Sequence, residues 1–128
     1  MAAIFRSALE SGRAPRVFED GAQRRDFVHV SDVARANLAA LDATAGGGGT
    51  GLRPYNVASG RPTTVGEMAT ALAGVVGGPE PVVTGEFRPG DVRHVVASPA
   101  RAAAELGFRA RIDLGTGLAE FAHAALRG

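Results

Sequence analysis

The sequence predicts one α/β domain, helix-rich with short strands. Three observations predict it: a capping box followed by apolar residues at helical spacing over 64–76, an extended run at 27–30 that passes straight into a helix, and an alternation of short extended and helical stretches along the chain. At 128 residues the chain has room for a single compact unit, about 14 Å in radius of gyration. With 45% hydrophobic residues it can build a core, burying about two-thirds of its unfolded surface.

The first helix is expected at once, with Ile4, Phe5, Ala8 and Leu9 on one face and Gly12 closing it. A helix that opens directly after Met1, with nothing to cap its first N–H groups, is the expectation for a chain cut from a longer protein. Arg16-Val17-Phe18 reads as extended and ends in the turn Glu19-Asp20-Gly21. Phe27 to Val30 reads as a strand. Ser31 is then expected to cap a helix with Asp32 in its first turn, favourable at the positive end of the dipole, and Val33, Ala36, Ala40 and Leu41 on its apolar face. Gly46 to Gly49 lacks the Gly-Lys-Ser/Thr ending of a phosphate loop and reads as a flexible connection.

Tyr55 to Ala58 is a further short strand. Thr64 and Glu67 form the capping box, and Val65, Met68, Ala69, Leu72, Val75 and Val76 follow at 3.6-residue spacing until Gly77-Gly78-Pro79. Pro81 to Gly85 is a strand candidate that leads into Pro89-Gly90, a type II turn flanked by Arg88 and Asp91. Ser98 as cap, Pro99 at the first helical position and Gly107 beyond the end frame a helix over 100–106. Asp113 starts the last one, whose face is Leu114, Leu118, Phe121, Ala122 and Ala125.

A formal net charge of +1, with 21% charged residues, gives no basic footprint for nucleic acid or an anionic membrane. There is no cysteine, so disulfides and thiolate metal sites are out, as befits a cytoplasmic protein. No run approaches the ~18 apolar residues of a membrane span, and no secretory leader pattern is present. Of the chemistry-bearing residues, His29, His94 and His123 are dispersed without metal-site spacing, and no serine sits in a Gly-x-Ser-x-Gly elbow. No catalytic, cofactor-binding or metal-ligating set emerges.

Loop arginines and aspartates remain. Strand alternation puts Arg25 and Phe27 on one side and Arg24 and Asp26 on the other, so only one of the two arginines faces a given pocket. Two guanidinium forks, on Arg25 and Arg88, match the oxygens of a diphosphate. Spacing alone favours simple surface ion pairs, Arg25 with Asp26 or Asp32 and Arg88 with Asp91, each contributing at most about 1 kcal/mol.

Four blocks occur in order: "VFEDGAQRRDFVHVSDVARANLAAL", "YNVASGRPTTVGEMATALA", "GEFRPGDVRHVVASPARAAAELGF" and "LGTGLAEFAHAAL". Together they resemble the C-terminal part of extended short-chain dehydrogenase/reductases that act on nucleotide sugars, the NAD-dependent epimerase/dehydratase family. The resemblance runs over essentially the whole chain. It implies that Arg25 of the "QxRDF" block and Arg88 of the "RPGD" block grip the diphosphate from two sides, and that Asp91 accepts hydrogen bonds from the ribose hydroxyls. It also implies that the Arg16 to Phe18 segment lines the base, through backbone groups and the Phe18 ring, with Gln23 beside it.

The same resemblance marks what the sequence lacks. The family's dinucleotide-binding (Rossmann) domain carries a glycine-rich turn and a Tyr-x-x-x-Lys pair, whereas here there is no such turn, the single tyrosine, Tyr55, has no lysine after it, and no lysine occurs at all. The implied parent uses NAD to oxidise the sugar transiently at C4 and then returns the hydride; this chain alone is expected to bind no cofactor. The expected function is therefore the nucleotide-sugar-binding part of a UDP- or dTDP-hexose 4-epimerase. The alternative is a stand-alone, non-catalytic nucleotide-sugar-binding or assembly module. Residues 31–63 are expected to pack on the edge of the missing Rossmann sheet, so that the isolated chain self-associates, pairs with a Rossmann half or is marginally stable.

Overall fold

The computed structural model describes residues 1–45 and 51–125, so the glycine run at 46–49 lies outside the described residues. In chain order the elements are α1 (Ala2–Glu10), β1 (Arg16–Val17), β2 (Arg24–Arg25), α2 (Val30–Ala45), β3 (Thr63–Thr64), α3 (Val65–Val76), β4 (Val82–Val83), β5 (His94–Val95), α4 (Ala100–Leu106) and α5 (Leu114–His123).

Helix α3 is the centre of the packing. Thr64 accepts a hydrogen bond from the Glu67 amide at 3.1 Å while the Glu67 carboxylate accepts from the Thr64 amide at 2.8 Å, completing the capping box. Gly77 closes the other end with φ +65°, where a side chain would be strained. Between these ends Met68, Ala69 and Leu72 are wholly buried and meet Phe5 and Leu9 of α1 and Leu118 of α5. Arg6 of α1 crosses to α5, donating to the Phe121 carbonyl at 2.6 Å with its guanidinium over the Phe121 ring. A second, smaller cluster joins Ala36 of α2 to Ala102 of α4 and to Phe108, with Tyr55 and Val57 against it.

The strands are two residues long and hold loops rather than build a layer. β1 pairs in parallel with β4, Arg16 opposite Val82. β2 lies between β3 and β5, antiparallel to the first and parallel to the second. The turn after β1 sits on the start of α3 because two glycines meet there: the Gly66 amide donates to the Gly21 carbonyl at 2.9 Å, and a Cβ on Gly66 would stand 3.2 Å from that oxygen.

Several sequence expectations are corrected. Ile4 is 61% exposed, since the core takes only Phe5 and Leu9 from that face. The extended run before α2 forms its ladder at Arg24–Arg25, not at 27–30, and the helix begins at Val30, with Ser31 inside its first turn donating its amide to His29 Nδ1. Tyr55 to Ala58 has no ladder partner among the described residues, and only Val82 and Val83 of 81–85 are strand. Pro99 is the cap rather than the first residue of α4, and Ala125 lies beyond the end of α5. Among the described residues no helix is long and apolar enough to cross a membrane, and no cluster of His, Asp or Glu could hold a metal ion.

Candidate nucleotide-binding cleft

A cleft of about 960 Å³ opens between α1, the end of β1 and the loop between β4 and β5. It is lined by all six residues singled out in the sequence: Arg16, Phe18, Gln23, Arg25, Arg88 and Asp91. Ile4 and Ala8 of α1 face the same space, which accounts for the exposure of Ile4. Nothing in the local pattern separated Ile4 from the core, because both faces of a one-sided helix can be apolar when one of them lines a cleft.

Phe18 follows β1 directly. The guanidinium of Arg88 lies over its ring at 5.3 Å, so aromatic and cation are held together on one wall. Arg88 and Asp91 flank the Pro89-Gly90 turn, closed by the Asp91 amide donating to the Arg88 carbonyl at 3.1 Å with Gly90 at φ +88°, as a type II turn requires. The surface ion pairs that spacing allowed do not form: among the described residues neither Arg25 nor Arg88 is in a salt bridge. Asp26 instead accepts from the Ser59 and Gly60 amides, and Asp32 pairs with Arg35.

Arg25 lines the cleft and Arg24 does not, in keeping with strand alternation; the pattern stops there, since Phe27 lies along a different pocket. The Arg25 guanidinium donates through Nη1 to the carbonyls of Arg24 (2.8 Å) and Arg93 (2.9 Å) and through Nη2 to that of Val92 (2.8 Å). A guanidinium has five N–H donors in a fixed plane. These bonds account for both Nη1 protons and one on Nη2, which leaves Nε–H and one Nη2 proton without a partner among the described residues, donors enough for one bidentate contact. Gln23 is 8% exposed and its amide donates to the Phe18 carbonyl at 3.1 Å, fixing the segment that carries the ring. Arg16 pairs with Glu86 across the β1–β4 ladder. The wall thus offers one open cationic fork, a second cation on an aromatic face and a carboxylate one turn away.

A second, apolar pocket of about 270 Å³ lies between Phe27, His29, Met68, Leu114 and Phe121. His29 has both ring nitrogens engaged, Nδ1 by the Ser31 amide at 3.2 Å and Nε2 by the Glu120 carboxylate at 3.1 Å. It is a bracing residue, without a free nitrogen for proton transfer.

A dinucleotide needs a helix N-terminus reached through a glycine-rich turn, with its amides free. Among the described residues one strand runs directly into a helix, β3 into α3; it has no glycine at the Thr64–Val65 junction, and the Glu67 carboxylate already occupies the helix end. No glycine-rich turn leads from a strand into a helix among the described residues.

Comparison with known proteins agrees with this architecture. Among curated relatives, dTDP-L-rhamnose 4-epimerase of Burkholderia thailandensis is 35% identical over 118 residues, covering 92% of this chain and 31% of its own length. UDP-glucose 4-epimerase of Mycolicibacterium smegmatis is 38% identical over 121 residues, covering 92% of this chain and 36% of its own. Among solved structures, UDP-glucose 4-epimerase of Thermotoga maritima with UDP-glucose superposes with a TM-score of 0.81 at 33% identity, over 94% of this chain and 37% of that one. The chain thus spans about a third of the length of the relatives it matches. The sequence profile described as the NAD dependent epimerase/dehydratase family matches residues 1–73, more than half of the chain, and the chain belongs to that family.

Proposed function

We propose that this chain is the nucleotide-sugar-binding part of an NAD-dependent sugar epimerase/dehydratase, its substrate a UDP- or dTDP-hexose and its reaction 4-epimerisation. The observation that carries the reading is the gathering of all six residues on the wall of one cleft. Arg25 offers its open fork to the diphosphate and Arg88 approaches from the facing loop. Asp91, one turn from Arg88, takes the ribose hydroxyls, and Phe18 packs against the base beside the backbone of Arg16 and Val17. Gln23 stands beside the base segment, one amide N–H on the Phe18 carbonyl, while its buried Oε1 has no partner among the described residues. The chemistry at the sugar belongs outside this chain, which has neither a lysine nor a Tyr-x-x-x-Lys pair to take a hydroxyl proton. The chain's part is to hold and orient the nucleotide. The lack of cysteine suits a cytoplasmic setting.

Residues 31–63 are proposed to face the partner half that supplies the dinucleotide. In support, Leu38, Leu41 and Leu52 are 61%, 63% and 95% exposed, and Tyr55 to Ala58 has no ladder partner among the described residues.

Calorimetric titration with UDP and dTDP tests the site. Binding near the millimolar range is expected, about −4 kcal/mol, since a half-site loses contacts and preorganisation. Arg25→Ala and Arg88→Ala should each weaken it about tenfold, whereas Arg101→Ala, which does not line the cleft, should leave it unchanged. No binding by the intact chain, or binding indifferent to both cleft substitutions, rejects the reading.

A further inference from the structure

Arg93 belongs to none of the roles above, and it is the residue on which the two sides of the cleft converge. Its Nη1 stands 3.2 Å from Glu19 Oε2 and 3.3 Å from Asp20 Oδ1, and its Nη2 donates to Asp20 Oδ2 at 2.7 Å. Its carbonyl accepts from Arg25 Nη1 at 2.9 Å. The side chain therefore holds the turn after β1, and the backbone holds the arginine with the open fork.

The turn it grips is unusual. Glu19 has φ +53°, the only described non-glycine residue in the left-handed region, where a side chain costs of order 1 kcal/mol or more. Its amide donates to the Glu86 carbonyl at 2.7 Å. The loop bearing Arg88 and Asp91 is thus fastened to the same turn on both sides, through Glu86 before Pro89-Gly90 and through Arg93 after it. Asp20 is itself fixed, its Oδ1 accepting from the Ala22 amide at 3.0 Å. Hydrogen bonding from Arg93 first, and from Ala22 second, lowers the Asp20 carboxyl from 3.8 to about 2, so the contact stays charged throughout the neutral range. Both partners are about half exposed, 48% and 56%, and such pairs add little to global stability. The contact matters by where it puts the loop.

We propose that Arg93 is a positioning residue, clamping the Arg88–Asp91 loop and the Arg25 fork to the Glu19-Asp20 turn and so setting the width of the cleft. The inference rests on the nucleotide-binding reading only for its effect on affinity; the clamp itself can be measured without ligand.

The test compares the 128-residue chain with Arg93→Gln, Arg93→Lys, Asp20→Asn and the Arg93→Gln/Asp20→Asn pair. Amide hydrogen exchange by NMR is expected to rise about tenfold at Glu19 and Asp91 in Arg93→Gln and in Asp20→Asn. At Val82 and Gly66, whose amides bond to Pro15 and Gly21, it should not change. UDP affinity should fall about tenfold in Arg93→Gln and by less in Asp20→Asn, which leaves the Arg93–Glu19 pair, and the double variant should fall no further than Arg93→Gln, where the Arg93–Asp20 contact is already gone. Arg93→Lys, with charge but no fork, should lie between. Unchanged exchange at Glu19 and Asp91 overturns the clamp, and additive losses in the pair overturn the coupling. If the unsubstituted chain binds no UDP, the function reading fails alone, and the exchange measurement still decides for or against the clamp.

Discussion

Asp32 has no exposed surface. Its carboxylate accepts from the Arg111 amide through both oxygens at 3.1 Å and from the Ile112 amide at 3.0 Å, and it pairs with Arg35 on the same helix. Removing it leaves two amides and a guanidinium without the buried carboxylate that satisfies them. Asp32→Ala should therefore destabilise the fold by about 3–5 kcal/mol, read as a lower urea midpoint. Arg88→Ala, on an exposed turn, should change stability by less than about 0.5 kcal/mol in the same assay. The sequence offered Asp32 as a first-turn residue favoured by the helix dipole and as an ion-pair partner of Arg25, and it could not name the two amides, which lie 79 and 80 positions away. Arg88 and Asp91 could be read together because they share one local turn, whereas strand alternation said only that one of Arg24 and Arg25 faces a given pocket, and the family resemblance was what named Arg25. Local signals could not exclude ion pairs. That took the structure, in which Arg25 turns to backbone carbonyls and Arg88 to an aromatic face.

Helix α3 was the most legible element because everything that makes it is local: a box at one end, a left-handed glycine at the other and an unbroken apolar stripe. Thr64→Ala should lower stability by about 1 kcal/mol, measurable as a drop in Tm. The strands were legible only as extended chain, since which two residues form a ladder depends on a partner that local pattern does not name. The helix caps and ion pairs also set the acid response. Glu67 is held below its usual value by the Thr64 amide, Asp113 by the Thr116 amide, Glu105 by the Arg101 guanidinium and Asp20 by that of Arg93. Each carboxyl has a lower pKa folded than unfolded, so its contribution is complete above the unfolded value and is lost as pH falls through the folded one. For Asp20 that window runs from 3.8 down to about 2. Far-UV circular dichroism during acid titration should show Tm level near neutrality and falling below about pH 4, less steeply in high salt, because these groups are exposed. A Tm that rises on acidification would contradict the assignment.

At the scale of the molecule, the packing is uneven. One cluster, around α3, draws on three helices, while the other joins α2 and α4 through little more than Ala36, Ala102 and Phe108. Helix α2 has only Asp32 and Ala36 buried over 16 residues, and Val30, Leu38 and Leu41 are more than 60% exposed. These exposed apolar side chains are what the proposed face towards another half would require. The family relatives are about three times as long, so their additional length is sufficient to supply such a cover. If residues 31–63 are built to meet another half, the isolated chain should associate through them. Light scattering after size exclusion should give a mass that rises with concentration, and Leu38→Glu with Leu41→Glu should return it to the monomer without lowering Tm, since neither side chain is in the core. Addition of a separately expressed dinucleotide-binding half from the same family should compete with self-association, because both use one face. A monodisperse monomer with a high, concentration-independent Tm would mean that α2 and the extended segment after it are stable as they stand, and the proposed interface would have to be given up.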